Sequence, residues 1–171
     1  MTFLAITVLG HDRPGIIAET TGVLAELGLN IEDSTMTLLR GHFAMMLITD
    51  GDADAAGVEE SLAGLTADGS LSVSVREVPA ESVVSRGSAY LLSVHGGDRP
   101  GIVSNVVAEV ARVGGNITDL TTRLAGELYV LIAEVDLPGS ADPAVLQHSL
   151  ETAAGQLGVE VTLRPLESDD L

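Results

Sequence analysis

Apolar and polar positions along this chain of 171 residues follow an order that occurs twice. A short apolar run over residues 4–8 is followed by apolar positions at helical spacing. Two segments separated by a short turn, a second helical segment and one alternating segment come next. The same succession starts again at residues 90–94. Short apolar or alternating runs predict strands, and apolar positions three or four residues apart predict helices. The pattern therefore predicts two units with the element order β-α-β-β-α-β.

The two halves correspond without a gap at a constant offset, which takes Asp12 to Asp98, Gly28 to Gly114 and Asn30 to Asn116. An ungapped correspondence over about fifty residues indicates an internal duplication. We expect a first domain over residues 1–78, a linker over 79–88, a second domain over 89–166 and an acidic tail over 167–171.

The element order is that of a split β-α-β motif, so the predicted fold class is α+β. We expect two ferredoxin-like βαββαβ units, each an antiparallel sheet with two helices on one face. Glycines close the first helices, and hairpins are expected at Arg40–Gly41 and Ala125–Gly126. A second helix is predicted over residues 52–65, and its counterpart starts at Asp142–Pro143. The positions predicted to face the cores are Ile16, Thr20, Val23 and Leu27; Ala55, Val58, Leu62 and Leu65; Ile102, Val106, Val110 and Val113; Leu146, Leu150, Ala153 and Leu157.

Charge and composition narrow the classes of function. The formal net charge is −17, with eight Arg and no Lys, and there is no Cys. Nucleic-acid binding needs clustered basic residues, so we expect no direct contact with DNA or RNA. No apolar run reaches the roughly 18 residues of a membrane span, and the start lacks a basic signal region, so a cytoplasmic protein is predicted.

A loop with the sequence "GHDRPGI", Gly10 to Ile16, recurs as "GGDRPGI" at Gly96 to Ile102. Proline suits the first turn of a helix, so we expect the first helix to begin at Pro14 and to leave the N–H groups of Gly15, Ile16 and Ile17 unpaired. Such a terminus accepts a carboxylate or phosphate. The Asp12 carboxylate either caps one of these groups or pairs with the ammonium of a ligand, and both alternatives are open.

The residues argue against a phosphate loop, a metal site and a catalytic site. Ile16 and Ile17 occupy the Lys and Ser/Thr positions of a phosphate loop, which excludes that motif. The four histidines show no ligand spacing, so no metal site is predicted. No nucleophile, base and orienting residue form a visible set. We therefore expect no enzyme activity, no cofactor and no metal.

The second strands begin at Asn30–Ile31 and Asn116–Ile117, and these positions are expected near the helix end of a paired unit. Strand carbonyls and Asn amides there could accept an ammonium group. The asparagines are equally explained as turn residues that tolerate a left-handed backbone after glycine. With the carboxylate site, the first alternative predicts a pocket for an amino acid.

These features resemble tandem ACT-domain proteins. The residues that carry the resemblance are "GHDRPGIIAETTGVLAELGLNI" and "GGDRPGIVSNVVAEVARVGGNI", each inside a β-α-β-β-α-β order. The chain is most similar to the glycine cleavage system transcriptional repressor group and to the ACT units of uridylyltransferase nitrogen sensors. As in the repressor group, no DNA-binding domain is expected.

The resemblance implies an amino-acid-binding regulatory protein that acts through a partner regulator protein, with glycine or serine as the expected ligand. A constitutive protein-interaction module without ligand is the alternative. Exposed sheet edges favour association, so a homodimer is expected. The implied ligand-binding residues lie in the two loops and at the second strands: Gly10, His11, Asp12, Arg13, Pro14, Gly15, Ile16, Asn30 and Ile31; Gly96, Gly97, Asp98, Arg99, Pro100, Gly101, Ile102, Asn116 and Ile117. Since Gly97 replaces His11, the two loops need not have equal affinity.

Overall fold

A computed structural model of the chain describes residues 1–81 and 87–167, and the chain divides into two compact units. Part of the predicted linker (82–86) and most of the predicted tail (168–171) lie outside the described residues. The domain limits 1–78 and 89–166 stay a prediction. Each unit is described by itself.

Unit 1 is a four-stranded antiparallel sheet in the order β2-β3-β1-β4. Each strand runs to eight or ten residues, longer than the short runs that the apolar pattern marks. Its elements are β1 Thr2–His11, α1 Ile16–Glu26, β2 Asn30–Leu39, β3 His42–Gly51, α2 Ala55–Ser61, α3 Ala63–Thr66 and β4 Leu71–Val78.

Unit 2 repeats this architecture with the strand order β6-β7-β5-β8. The predicted fold class is confirmed, because both units are ferredoxin-like antiparallel sheets with helices. The elements of unit 2 are β5 Ser88–Gly97, α4 Ile102–Arg112, β6 Asn116–Ala125, β7 Leu128–Leu137, α5 Pro143–Leu157 and β8 Val159–Pro165.

The helices of each unit pack on one face of its sheet, and alternate strand residues build the core there. In β1, Leu4, Ile6 and Val8 are fully buried, while Leu9 is 45% exposed on the opposite face. Successive side chains of a strand point to opposite faces, so the second face of each sheet is open. Each unit has its own cluster of buried apolar side chains.

The first helix starts later than predicted, while its end is confirmed, because Gly28 follows the C-cap Leu27 with a positive φ of 73°. It begins at Ile16 and not at Pro14, because Gly15 adopts a left-handed conformation with φ 89° and occupies the N-cap position. Its buried residues are Ile16, Thr20 and Leu24, so the predicted core position at Leu27 is wrong. The helix ends at Glu26, which leaves Leu27 past the last turn and 37% exposed. In α4 the buried residues are Ile102, Val106 and Val110, as predicted.

The second helix of unit 1 is broken, where the sequence predicts one continuous helix. Helix α2 ends at Ser61, the φ and ψ of its C-cap Leu62 (−89° and 2°) leave the helical range, and the four-residue α3 follows. Gly57 and Gly64 lower the helix propensity of this stretch, which fits the break. Val58, Leu62 and Leu65 are nevertheless buried, so the predicted face is confirmed at these positions.

The second helix of unit 2 begins as predicted. The Asp142 carboxylate accepts a hydrogen bond from the Ala144 N–H at 2.9 Å, and Pro143 fills the first helical position. Leu146 and Leu150 are buried as expected, but Ala154 replaces Ala153 as the next buried residue. The reason is the regular four-residue step from Leu150 along an unbroken helix.

One of the two predicted hairpin turns is confirmed, and the other lies one residue later than predicted. Arg40 and Gly41 form the turn between β2 and β3, and both have positive φ, at 48° and 81°. Two positive φ values are the mark of a type I′ turn. In unit 2 the turn is Gly126–Glu127, one residue later than predicted, with Ala125 paired to Leu128. Only Gly126 has a positive φ there, so the glycine takes the first central position.

Candidate functional site

Backbone hydrogen bonds hold the repeated loop in place where it leaves the sheet. Gly10 and His11, the first two residues of the predicted loop, still belong to β1. The His11 N–H bonds to the Ser70 carbonyl at 3.0 Å, and the Asp12 N–H bonds to the Gly41 carbonyl at 3.0 Å. In unit 2 the Asp98 N–H bonds to the Glu127 carbonyl at 3.3 Å. The loop is therefore fixed between the hairpin turn and the last strand of its unit.

The glycine at the start of each loop permits a close approach of two backbone segments. A Cβ atom on Gly10 would lie 2.1 Å from the Ser70 carbonyl oxygen, and one on Gly96 would lie 2.9 Å from Val159 Cγ1. Neither contact has room for a side chain. These glycines bring the loop against the start of β4 or β8.

The helix starts expose backbone N–H groups, as the sequence predicts, but one residue later. Gly15 and Gly101 are left-handed N-caps with φ 89° and 95°, and no side chain caps either helix. The first hydrogen bonds are donated by the N–H groups of Glu19 and Asn105 to these glycine carbonyls. Within the described residues, the N–H groups of residues 16–18 and 102–104 have no partner. Each helix start is a site of partial positive charge.

The capping role considered for Asp12 is wrong. Because Gly15 is the N-cap, the Asp12 carboxylate lies three residues before the position from which a side chain caps. The same holds for Asp98 and the N-cap Gly101. Both carboxylates are exposed, and within the described part of the chain neither accepts a hydrogen bond. They remain available to a ligand.

The two loop arginines have unequal surroundings. Arg13 is half-buried and pairs with the Glu19 carboxylate at 3.1 Å. Asp68 lies close enough to it that Arg13 contributes to the lowered pKa of Asp68, whose main cause is the Ser70 hydroxyl donating to this carboxylate at 2.7 Å. Arg99 is exposed and donates only a long bond of 3.4 Å to the Gln156 carbonyl. No carboxylate of the described residues pairs with Arg99.

The loop of unit 2 lines an open cleft at its helix start. The cleft measures about 310 Å³, at the lower end of the range for small-molecule sites. Val103, Ser104 and Tyr129 are lining residues that the sequence did not single out. The full lining is Asp98, Arg99, Gly101, Ile102, Val103, Ser104 and Tyr129.

A cleft in unit 1 lies on another side of the loop. A cleft of about 460 Å³ lies at the ends of β1, β3 and β4 and includes Leu9, Gly10 and His42, but not the helix start. Phe43, which corresponds to Tyr129, is 3% exposed there and offers no hydroxyl. The unit 2 loop therefore combines a cleft, an unpaired carboxylate and an unengaged arginine.

The predicted second-strand residues lie away from the loop of their own unit. Asn30 starts β2 beyond the C-terminal end of α1, and 11 helical residues span about 16 Å. One unit thus does not bring Asn30 to its own Asp12. Asn30 pairs with Asp50 across the sheet, and Asp50 Oδ1 is a buried acceptor without a partner among the described residues. Asp50 is a candidate ammonium acceptor that the sequence did not single out.

Residues 1–81 and 87–167 contain no group of three or more His, Asp or Glu placed to hold a metal ion. His95 pairs with Glu160 at 2.9 Å on the open face of unit 2. Among the helices that the structure describes, none has the length and apolar composition to cross a membrane.

Comparisons with known proteins agree with this geometry. The ACT domain family matches residues 2–76 and 88–164. The glycine cleavage system transcriptional repressor of Escherichia coli is 26% identical over 166 residues, which cover 92% of this chain and 87% of that protein. A UPF0237 protein of Methanopyrus kandleri is 49% identical over 57 residues, which cover 33% of this chain and 63% of that protein.

A solved structure of an unknown protein from Galdieria sulphuraria has a TM-score of 0.81 and 27% identity. The structural match covers 97% of this chain and 99% of that chain. The family match accounts for both repeats and for most of the chain. The chain therefore belongs to the ACT domain family and carries two ACT domains in tandem.

Proposed function

We propose that this chain is a cytoplasmic amino-acid sensor that regulates a partner protein. The observation that carries the proposal is the duplicated helix start, where a left-handed glycine leaves three N–H groups unpaired beside a free Asp carboxylate. Such a pair of opposite charges matches the two ends of a zwitterion. The relationship to a transcriptional repressor of glycine cleavage supports glycine or serine as ligand and control of amino-acid metabolism as the role.

In unit 2 the ligand carboxylate is proposed to bind the N–H groups of residues 102–104 and the Arg99 guanidinium. Hydrogen bonds from charged donors to a carboxylate are among the stronger ones. The ligand ammonium then faces the Asp98 carboxylate. The small cleft of about 310 Å³ favours a small amino acid over a bulky one.

Unit 2 is proposed to bind more tightly than unit 1. In unit 1, Glu19 already neutralises Arg13, and a ligand carboxylate must compete with this ion pair. The residue that corresponds to Glu19 in unit 2 is Asn105, whose amide donates to the Gly101 carbonyl at 2.6 Å. Arg99 thus carries no competing carboxylate. The second-strand residues Asn30, Ile31, Asn116 and Ile117 stay a prediction.

Amino-acid binding is expected to raise the thermal stability of the purified chain. At a ligand concentration of 100 Kd, the apparent free energy of unfolding rises by about 2.7 kcal/mol. Thermal-shift and isothermal titration calorimetry against the twenty amino acids measure this. The substitution Arg99→Ala is expected to weaken binding by about tenfold or more, since it removes charged hydrogen bonds.

The matched control is Arg13→Ala at the corresponding position of unit 1. It is expected to change the tighter binding event by less than Arg99→Ala does. Asp98→Asn is expected to lower the affinity without loss of stability, because Asp98 caps no helix. If none of the twenty amino acids shifts the melting temperature or releases heat, the sensor proposal is wrong.

A constitutive interaction module is the second candidate, and the exposed edge strands favour it. Met36 and Leu38 of β2 are 44% and 47% exposed at the sheet edge, and Leu124 of β6 is 44% exposed. An uncovered strand edge with apolar side chains invites another chain. Capture of partners from a lysate with and without amino acid separates the two candidates. A module keeps its partner regardless of ligand and regardless of Asp98→Asn.

The same exposed edges lead us to expect a homodimer. Backbone groups along β2 and β6 are unpaired on their outer side, and pairing with a second copy satisfies them. Light scattering at micromolar concentration is expected to give twice the chain mass of 17.6 kDa. A mass of one chain across the concentration range contradicts this expectation.

A further inference from the structure

Two histidines that are distant in sequence lie opposite each other in the sheet of unit 1. His11 ends β1 and His42 begins β3, and the register of the two strands pairs them directly. The His11 N–H points away from β3, because it bonds to the Ser70 carbonyl at 3.0 Å. His11 and His42 therefore form a non-hydrogen-bonded pair, the closer of the two kinds in an antiparallel ladder. Their Cβ atoms are about 4.5–5.5 Å apart in such a pair.

Both imidazoles are accessible on the open face of the sheet. Alternation along β1 puts His11 on the face of Leu9, and His42 lines the same cleft as Leu9 and Ala44. Each histidine is exposed. Within the described residues, neither forms a hydrogen bond or ion pair with its side chain, in contrast to His95 with Glu160.

Unit 2 does not repeat the pair. The positions that correspond to His11 and His42 are Gly97 and Leu128, which are paired in the same register. The histidine pair is thus a feature of one unit. The fold itself does not require it, since the corresponding sheet forms without it.

We propose that His11 and His42 together bind one divalent metal ion of the class that prefers imidazole ligands, such as Zn²⁺, Ni²⁺ or Cu²⁺. Two imidazoles side by side on neighbouring strands offer two nitrogen ligands from a rigid backbone. No third His, Asp or Glu among the described residues completes the set, so water or a small chelating ligand fills the remaining positions. The formal net charge of −17 favours a cation on this surface.

The test is metal titration of the full chain, purified without a histidine tag. Calorimetry with Ni²⁺ and with Zn²⁺ at pH 7.5 is expected to show one equivalent bound. His11→Asn and His42→Leu are each expected to weaken binding by at least tenfold, and His42→Leu copies the residue of unit 2. His148→Asn, on the exposed face of α5, is the matched control and is expected to bind as the unsubstituted chain does.

A second measurement keeps the result independent of variant stability. Substoichiometric Cu²⁺ is expected to broaden the imidazole proton NMR signals of His11 and His42 before those of His95 and His148. Equal broadening of all four histidines, or unchanged affinity in both His11→Asn and His42→Leu, overturns the proposal. No detectable binding at metal concentrations up to about 1 mM, which corresponds to a Kd of about 1 mM or weaker, overturns the proposal as well.

Discussion

Replacing Gly10 with alanine is expected to lower the free energy of unfolding by about 3 kcal/mol or more. The new Cβ would lie 2.1 Å from the Ser70 carbonyl oxygen and 2.9 Å from Leu71 Cα. Both atoms belong to the backbone of the segment that enters β4, so no side-chain rotation relieves the overlap. Gly10 also has φ 151°, a value that residues with a Cβ rarely adopt. Urea unfolding followed by circular dichroism measures the change.

Gly22→Ala provides the matched control for this prediction. Gly22 lies inside α1, and a Cβ there meets nothing within 4 Å. Alanine is the better helix former by about 1 kcal/mol, so the variant is expected to be more stable than the unsubstituted chain. Similar changes in the free energy of unfolding, in the same direction, for both variants would show that the close backbone approach at Gly10 does not limit stability.

Replacing Leu24 with alanine is expected to cost about 2–5 kcal/mol, the range for large apolar side chains removed from a core. Leu24 is fully buried on the sheet-facing side of α1. Its loss leaves a cavity beneath the same helix whose N-terminus is proposed to bind the ligand. Thermal or denaturant unfolding of the variant measures the cost.

Leu27→Ala tests the same helix at a position that the apolar pattern also marked as core. Leu27 is 37% exposed at the C-cap, so this substitution is expected to cost less than about 1 kcal/mol. A cost equal to that of Leu24→Ala would mean that α1 presents a different face to the sheet.

The fold was predictable because it depends on features that are periodic in the sequence. Strands and helices differ in the spacing of their apolar positions, and the duplication gave two independent copies of the pattern. Local rules also placed Asp142 as a cap and Arg40–Gly41 as a turn. In each of these cases neighbouring residues decide the conformation, so the sequence contains the necessary information.

The wrong predictions concern positions at which a left-handed backbone conformation or a contact distant in sequence determines the structure. The left-handed conformation of Gly15 delays the helix start by two residues and removes the capping role from Asp12. Periodicity marked Leu27 as core, but Leu27 is the C-cap residue and lies past the last helical turn. Element boundaries depend on hydrogen bonding that single residues do not specify.

In the candidate site, too, local sequence predicted some features and long-range packing decided the others. The loop residues were found because their sequence is repeated and chemically distinctive. The engagement of Arg13 by Glu19 and the freedom of Arg99 depend on side-chain packing, which no spacing reveals. The pairing of His11 with His42 depends on the register of two strands, which the spacing of histidines along the sequence does not reveal.

Fusing the two ACT domains in one polypeptide has an evolutionary consequence. In an assembly of identical single-domain subunits, every mutation appears in all copies, so their binding loops stay chemically alike. Here Glu19 and Asn105 occupy the same place in the first turns of α1 and α4 yet differ in charge. Gene duplication has therefore released each repeat to change independently, and under the proposed sensor function the two sites would respond to different concentrations of a metabolite.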